Sequence, residues 1–107
     1  MQKWAEHDRY GNLIYMTEER WQHALEKRPW LEPYLGEVLT TIRHGRRQQD
    51  PLNQRKYKYY WPCSELLPDF NHLVVIVVFD QQLGEMNQFS TNNYVTNVWA
   101  VYLYGKR

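Results

Sequence analysis

The residues of this chain that could do chemistry are concentrated in one basic, tyrosine-rich segment, "RHGRRQQDPLNQRKYKYYW", at positions 43–61. Its six basic side chains are Arg43, Arg46, Arg47, Arg55, Lys56 and Lys58, against one carboxylate, Asp50. The whole chain, in contrast, carries 13 lysine and arginine residues and 12 aspartate and glutamate residues. Local fields rather than net charge steer a polyanion to its site. Because cations neutralise phosphates and aromatic rings accept stacked bases, the segment is a candidate nucleic-acid surface.

A structural explanation of the alternating lysines stays open. Lys56 and Lys58 alternate with tyrosines, and lysines on a strand also protect a sheet edge or mark a solvated face. The additional cluster of Arg43, Arg46 and Arg47 favours the functional interpretation.

His23 is the histidine with the clearest potential for acid–base chemistry near neutral pH. At about 100° per helical residue, it projects roughly 200° away from Trp21. It shares that face with Arg20 and Lys27, at helical spacings of three and four residues. A packing role therefore does not account for His23, which lies either in water or turned toward a site.

The other candidates for chemistry give weaker signals. His44 could reach a phosphate, whereas His7 is expected at the surface and His72 in a structural position. No pair of histidines has the spacing of a helical zinc site, and the lone Cys63 excludes an internal disulfide and a multi-cysteine zinc site. Cys63 follows a proline and is expected to be inert. We therefore expect no metal and no cofactor.

The first elements that must position these residues are a hairpin and two helices. Turn residues Gly11 and Asn12 between two β-prone stretches predict the hairpin. Thr17 is expected to cap a helix over about residues 17–28. A second helix is expected to begin near Pro33, continue through regularly spaced apolar residues, and end at Gly45.

Short strands are expected after the second helix. Two strands, "RRQQD" and "RKYKYYW", are predicted on either side of a turn at residues 51–53. Two connections are predicted, "PCSELLPD" and "QQLGEMNQFSTNN". The second connection is expected to hold at most one short strand. The apolar run Leu73–Phe79 predicts a strand covered on both faces, near the centre of a sheet. The last strand is expected to turn Val95, Trp99, Val101 and Leu103 inward, with Tyr94, Thr96, Tyr102 and Tyr104 on its other face.

Short connections favour antiparallel pairing. The predicted class is therefore α+β, with the N-terminal hairpin and two helices packed on one face of a four- to five-stranded antiparallel sheet. A length of 107 residues suits a single domain, residues 1–107, and 43 % hydrophobic residues suffice for a core. Without a long apolar run or a visible secretory signal, neither a membrane span nor export is expected. The lone cysteine favours a reducing, cytoplasmic setting.

The order of helix, helix and antiparallel strands resembles the small metal-independent nucleases of the barnase/EndoU/colicin D/RelE group. The stretch "YMTEERWQHALEKRPWLEPYLGEVLTTIRHGRR", followed by "KYKYYW" and "LVVIVVF", looks like the phage- and toxin-type branch. That branch shares an early helix with an Arg-Trp-x-His-like element, here residues 20–23, basic strand residues, and a final strand carrying Thr or Tyr. The resemblance covers roughly residues 10–104.

The resemblance implies a metal-independent endoribonuclease, in which a 2′-hydroxyl attacks the adjacent phosphate. It makes His23 the acid or base, and it gives phosphate contacts to Arg43, Arg46, Lys58 and Thr96. The substrate-binding residues would be Arg47, Arg55, Lys56, Tyr57, Tyr59 and Tyr94. Toxins of this kind are commonly paired with an antitoxin, so the implied partners are RNA and an antitoxin protein. Asn97 interrupts the inward series of the last strand, and the sequence fixes no complete catalytic set.

A second class of function stays open, namely a non-catalytic RNA- or protein-binding module that uses the same basic, aromatic face. Five tryptophans and nine tyrosines would also serve a protein interface. Histidine substitution separates the two classes, because catalysis needs His23 or its equivalent whereas binding mainly needs charge.

Overall fold

The structure is a computed structural model that describes residues 2–64, 69–83 and 89–104. Its elements, in chain order, are strands β1 (Gln2–His7) and β2 (Leu13–Thr17), helix α1 (Glu18–Lys27), a 3₁₀ helix (Pro29–Tyr34), helix α2 (Leu35–His44), and strands β3 (Arg46–Gln49), β4 (Lys56–Pro62), β5 (His72–Leu83) and β6 (Phe89–Val101). The predicted hairpin, both helices and the central apolar strand are therefore confirmed.

Two predicted connections lie partly outside the described residues, at positions 65–68 and 84–88. The rest of the second connection is not a loop. Residues 81–83 belong to β5 and residues 89–93 belong to β6, and the two strands pair from His72 opposite Val101 to Leu83 opposite Phe89. Strand β5 is consequently longer than the sequence indicated. Strand β6 begins earlier than predicted and ends at Val101, so the prediction that Tyr102, Leu103 and Tyr104 belong to the last strand is wrong.

The described part of the chain forms one six-stranded sheet in the order β1-β2-β6-β5-β4-β3. Neighbouring strands run antiparallel except β2 and β6, which pair in parallel through Ile14 opposite Asn93 and Tyr15 opposite Tyr94. The α+β class is confirmed, but the prediction of four to five antiparallel strands is wrong. The N-terminal hairpin is a part of the sheet rather than a unit packed beside it, and no local turn signal marks a pairing between residues so distant in sequence.

Both helices cover one face of this sheet and form the core with it. Trp21 and Ala24 of α1 and Val38 and Ile42 of α2 are buried in one cluster with the sheet. The inward side chains of the sheet include Ile14, Met16, Tyr59, Leu73, Val75, Val77, Val95 and Val98. Thr17 caps α1 as predicted, since its Oγ1 accepts a hydrogen bond from the backbone N–H of Arg20 at 3.1 Å.

A β-bulge in β6 reverses the side-chain alternation along that strand. Ile76 lies opposite Asn97, but the next residue, Val77, lies opposite Val95, so Thr96 is the extra residue. Val95 and Val98, three residues apart, are therefore both directed into the core and only 1 % exposed. The predicted inward series is confirmed for Val95 and is wrong beyond the bulge, where Trp99 lies on the opposite face.

The central position of β5 gives a direct test of this architecture. Val75 and Val77 are 0 % exposed beneath the helices, so truncating either to alanine should leave a cavity and lower the free energy of unfolding by about 1–3 kcal/mol. Urea denaturation measures the change. Leu52→Ala is the matched control because Leu52 is 97 % exposed, and equal stability of all three variants would contradict a central β5.

Candidate nucleic-acid interface

The sheet face opposite the helices, called the open face below, aligns cationic and aromatic side chains in rows. Strand register places Arg46, Tyr60, Val74 and Trp99 in the first row across β3, β4, β5 and β6. The second row is Gln48, Lys58, Ile76 and Asn97, and the third is Lys56, Val78, Tyr94 and Tyr15. Since neighbouring strands are about 4.8 Å apart, each row of four spans roughly 14 Å.

The open face is unusually well packed for a surface without helices. Val74 and Ile76 are only 1 % and 5 % exposed, although they point away from the helices. Tyr60 of β4 lies opposite Val74, and its ring lies 6.3 Å from the buried ring of His72. The partly buried Trp99 lies directly opposite Val74 in the register. The open face therefore has buried apolar residues on the central strand β5, with aromatic residues beside them on β4 and β6.

Three cations of the basic segment belong to this face. Arg46 and Lys58 are exposed and Lys56 is partly buried. None of the three forms an ion pair with another described residue. Within the described part of the chain, no carboxylate therefore neutralises these three charges.

The other cations of the segment have carboxylate partners. The Nε of Arg43 lies 2.9 Å from Oε1 of Glu6, and Nη1 of Arg55 lies 3.1 Å from Oδ1 of Asp80. Both arginine side chains are substantially exposed, at 47 % and 63 %, and such surface pairs contribute little to stability.

Arg47 belongs to a cluster on the helix-covered side, centred on Asp8. The Asp8 side chain is fully buried, and its Oδ1 accepts hydrogen bonds from the backbone N–H groups of Tyr10 and Asn12 at 2.9 and 2.8 Å. Its Oδ2 accepts a hydrogen bond of 2.5 Å from the hydroxyl of Tyr59 and lies 3.9 Å from Nη1 of Arg47. The carboxylate is therefore surrounded by donors.

Aromatic rings enclose the guanidinium of Arg47. Its centre lies 4.2 Å from the ring centroid of Tyr10 and 4.5 Å from that of Tyr57, within cation–π range. Tyr57 in turn packs edge-on against Phe79 at 5.0 Å. Arg47 and Tyr57 thus have structural partners on the side of the sheet away from the open face.

The cluster fixes the protonation states of its members. Burial alone would raise the pKa of Asp8, but the hydrogen bonds from Tyr59, Asn12 and Tyr10 outweigh it and lower the pKa below its usual 3.8. Burial, together with the hydrogen bond to Asp8, raises the pKa of Tyr59 well above its usual 10.0. Asp8 is consequently ionised and Tyr59 protonated over the whole neutral range.

The structure separates the residues that the sequence grouped as one site. His23 is exposed on α1, which packs against β1, β2 and β6 on the helix-covered face, whereas Lys58 lies on the open face. Thr96 is at the bulge, with its Oγ1 3.5 Å from the carbonyl oxygen of Ile76, and Tyr59 is 0 % exposed in the core. Of the predicted site residues, the open face brings together Arg46, Lys56, Lys58 and Tyr94.

Sequence reasoning missed several residues of the open face and of the cluster. Trp99 was placed inward by strict alternation, and the polar Asn97 two residues earlier was the one signal of the bulge. Tyr15 and Tyr60 carry no signal without the sheet order. Asp8 could have been recognised as a turn residue, but not as the partner of Tyr59, which is 51 residues away.

No protein-family model, curated protein or solved structure matches this chain. Any functional conclusion therefore depends on the residues themselves. Within the described ranges, no helix has the length and apolar character needed to span a membrane. The same residues contain no group of three histidine, cysteine, aspartate or glutamate side chains placed to hold a metal ion.

The Asp8–Tyr59 hydrogen bond should be important for stability. Tyr59→Phe removes a donor to a buried carboxylate, and we expect it to lower the free energy of unfolding by about 1.5–3 kcal/mol in urea denaturation. Tyr104→Phe is the control, because Tyr104 is 90 % exposed. Equal loss in both variants would contradict the assignment.

The same pair should shape the pH dependence of stability. Above pH 10, the tyrosine ionises in the unfolded chain while folded Tyr59 keeps its proton, so wild-type stability should fall as pH rises. The stability gap between wild type and Tyr59→Phe should therefore narrow above pH 10. Since Asp8 has a lowered pKa, its contribution to the free energy of unfolding is present above about pH 4 and is lost as the pH falls below that value. A gap that widened at alkaline pH would contradict a protonated Tyr59.

Proposed function

We propose that this protein binds single-stranded RNA on the open face. The observation that carries the proposal is that one sheet surface combines several aromatic rings with three cations that form no ion pair with another described residue. Single-stranded nucleic acids are bound by this combination, because cations hold the backbone and rings stack on unpaired bases.

The charge distribution supports a polyanionic ligand over a neutral one. Arg46, Lys56 and Lys58 come from adjacent strands β3 and β4, and in the register Lys58 lies one row from each of the other two. The first two rows contain no carboxylate, and Asp50 of the β3–β4 turn beside them accepts hydrogen bonds from the backbone N–H groups of Leu52 and Asn53. Three cations so close together repel each other, and bound phosphates would relieve that repulsion.

Salt dependence provides the first test of RNA binding. Contact of the three cations with three phosphates predicts a slope of about −2 in a plot of log affinity against log salt concentration. Lys58→Ala should weaken RNA binding and make the slope of this plot shallower by about 0.7. Fluorescence anisotropy with a labelled unstructured RNA measures both quantities.

The matched control for this test is Lys27→Ala, which removes an exposed lysine from α1 on the other side of the sheet. Its affinity and slope should equal those of the wild type. A flat salt titration, or equal effects of the two lysine substitutions, would exclude RNA from the open face and favour the protein-interface alternative.

A second proposal is that the protein cleaves RNA without a metal ion, in the cytoplasm and with an antitoxin as its partner. This proposal rests on the resemblance to the barnase/EndoU/colicin D/RelE group. One observation favours it, namely that His23 is exposed and not part of the core. His23 and Lys58 lie on opposite sides of the sheet, so a proton transfer by His23 would require the RNA to pass around the edge of the sheet. Binding and cleavage are for this reason separable.

Cleavage is tested by incubating the purified protein with labelled RNA in EDTA. Products ending in a cyclic phosphate are expected, and His23→Ala should slow their formation by about 10²–10⁴-fold without changing RNA affinity or stability. Wild-type rates in His23→Ala would remove His23 from the mechanism, and EDTA-sensitive cleavage would contradict a metal-free reaction. Intact RNA would eliminate the nuclease proposal and leave RNA binding as the function.

A further inference from the structure

One cavity opens on the open face beside Trp99, with a volume of about 230 Å³. Residues that line it from β3, β4, β5, β6 and the β3–β4 turn include Gln48, Asp50, Lys56, Lys58, Ile76 and Trp99. We propose that this cavity binds one nucleobase of the RNA, stacked on Trp99, with the flanking phosphates on Lys56 and Lys58. The inference rests on the proposed RNA-binding function and assigns it a specific subsite.

The dimensions of the cavity suit a single flat ring system. Pockets for drug-sized ligands typically measure about 300–1,000 Å³, and this cavity is smaller. Ile76, only 5 % exposed, supplies an apolar lining from the central strand β5. The partly buried indole of Trp99 supplies a large aromatic surface next to it, so the cavity offers apolar contacts to the faces of a base.

The polar wall of the cavity is held in place by the β3–β4 turn. Oδ1 of Asp50 accepts hydrogen bonds from the backbone N–H groups of Leu52 and Asn53 at 2.7 and 3.1 Å. Gln49 donates to the carbonyl oxygen of Gln54 at 2.8 Å and closes the turn further. Because these hydrogen bonds already hold the turn in one conformation, it loses little conformational entropy when a ligand binds, and this favours affinity.

The edge of the bound base would meet groups that tolerate several base types. Gln48 carries an amide with both donor and acceptor atoms, and it is exposed. Stacking on an indole is available to every base. The subsite should therefore recognise the presence of a base more strongly than its identity.

A larger cavity of about 400 Å³ near Tyr15 and Tyr94 is a weaker candidate for the same role. Its lining includes two carboxylates, Glu19 and Asp80, and one cation, Arg20, whereas the lining of the cavity beside Trp99 includes one carboxylate, Asp50, and two lysines. The balance of charge in the cavity beside Trp99 is therefore positive, and it matches a nucleotide better.

The test compares wild type, Trp99→Leu and Trp99→Phe with two ligands, a short oligouridylate and an abasic ribose-phosphate oligomer of the same length. Wild type should bind the oligouridylate more tightly. Trp99→Leu should lose about 10- to 100-fold in affinity for the oligouridylate and nothing for the abasic oligomer, whereas Trp99→Phe should retain most of the affinity. Circular dichroism checks that each variant is folded.

A second measurement uses the wild-type protein and does not depend on the stability of the leucine variant. Oligouridylate should quench part of the tryptophan fluorescence, the abasic oligomer should not, and the quenching should be lost in Trp99→Phe. Equal binding of both ligands to wild type, or equal loss of both in Trp99→Leu, would overturn the base subsite while RNA binding stands. Failure of wild type to bind either ligand would overturn RNA binding itself, and the subsite with it.

Discussion

The buried carboxylate of Asp8 is the constraint on which the shape of this protein depends. A buried charge is tolerated only when it is paired and hydrogen-bonded, and the donors to Asp8 come from both its own turn and strand β4. The turn follows β1, which forms one edge of the sheet, whereas Tyr59 lies on the fifth strand in the sheet order. The two can meet only if the sheet curls around the helix-covered side.

Other contacts at the same end of the molecule are consistent with this curvature. Helix α2 packs against β1 as well as β4 and β5, and so lies inside the curl. Arg43 near its end is paired with Glu6 of β1, and Arg9 of the turn donates a hydrogen bond to the carbonyl oxygen of His44. The helices thus occupy the concave side, and the open face is convex.

This curvature also explains why a nearly neutral protein has such a basic segment. Arg43 and Arg47 are directed to the concave side, where Glu6 and Asp8 neutralise them, and Arg55 is paired with Asp80. The alternation of β3 and β4 directs Arg46 and the two lysines to the convex side. The same run of sequence therefore holds the sheet closed on one side and leaves positive charge on the other.

Local signals sufficed for the elements but not for their assembly. Thr17 as a helix cap, Gly11 in the hairpin turn and the apolar run of β5 each act over a few residues, and each was predictable from the sequence. The bulge at Thr96 was not, because one inserted residue leaves the strand composition unchanged while moving Trp99 to the other face. The position of His23 relative to Lys58 depends on sheet order and helix placement, which are set by contacts between distant residues.

The parallel pairing of β2 with β6 has a consequence for how the protein is made. Ile14 and Asn93 are neighbours in the sheet but far apart in the chain, and such non-local pairings form slowly. During synthesis the hairpin emerges long before β6, so Ile14 and Met16, both 1 % exposed in the finished fold, have no sheet partner on that side until β6 leaves the ribosome. A nascent chain of this topology exposes apolar strand surface until β6 has been synthesised, and chaperone binding in this interval would protect it from aggregation.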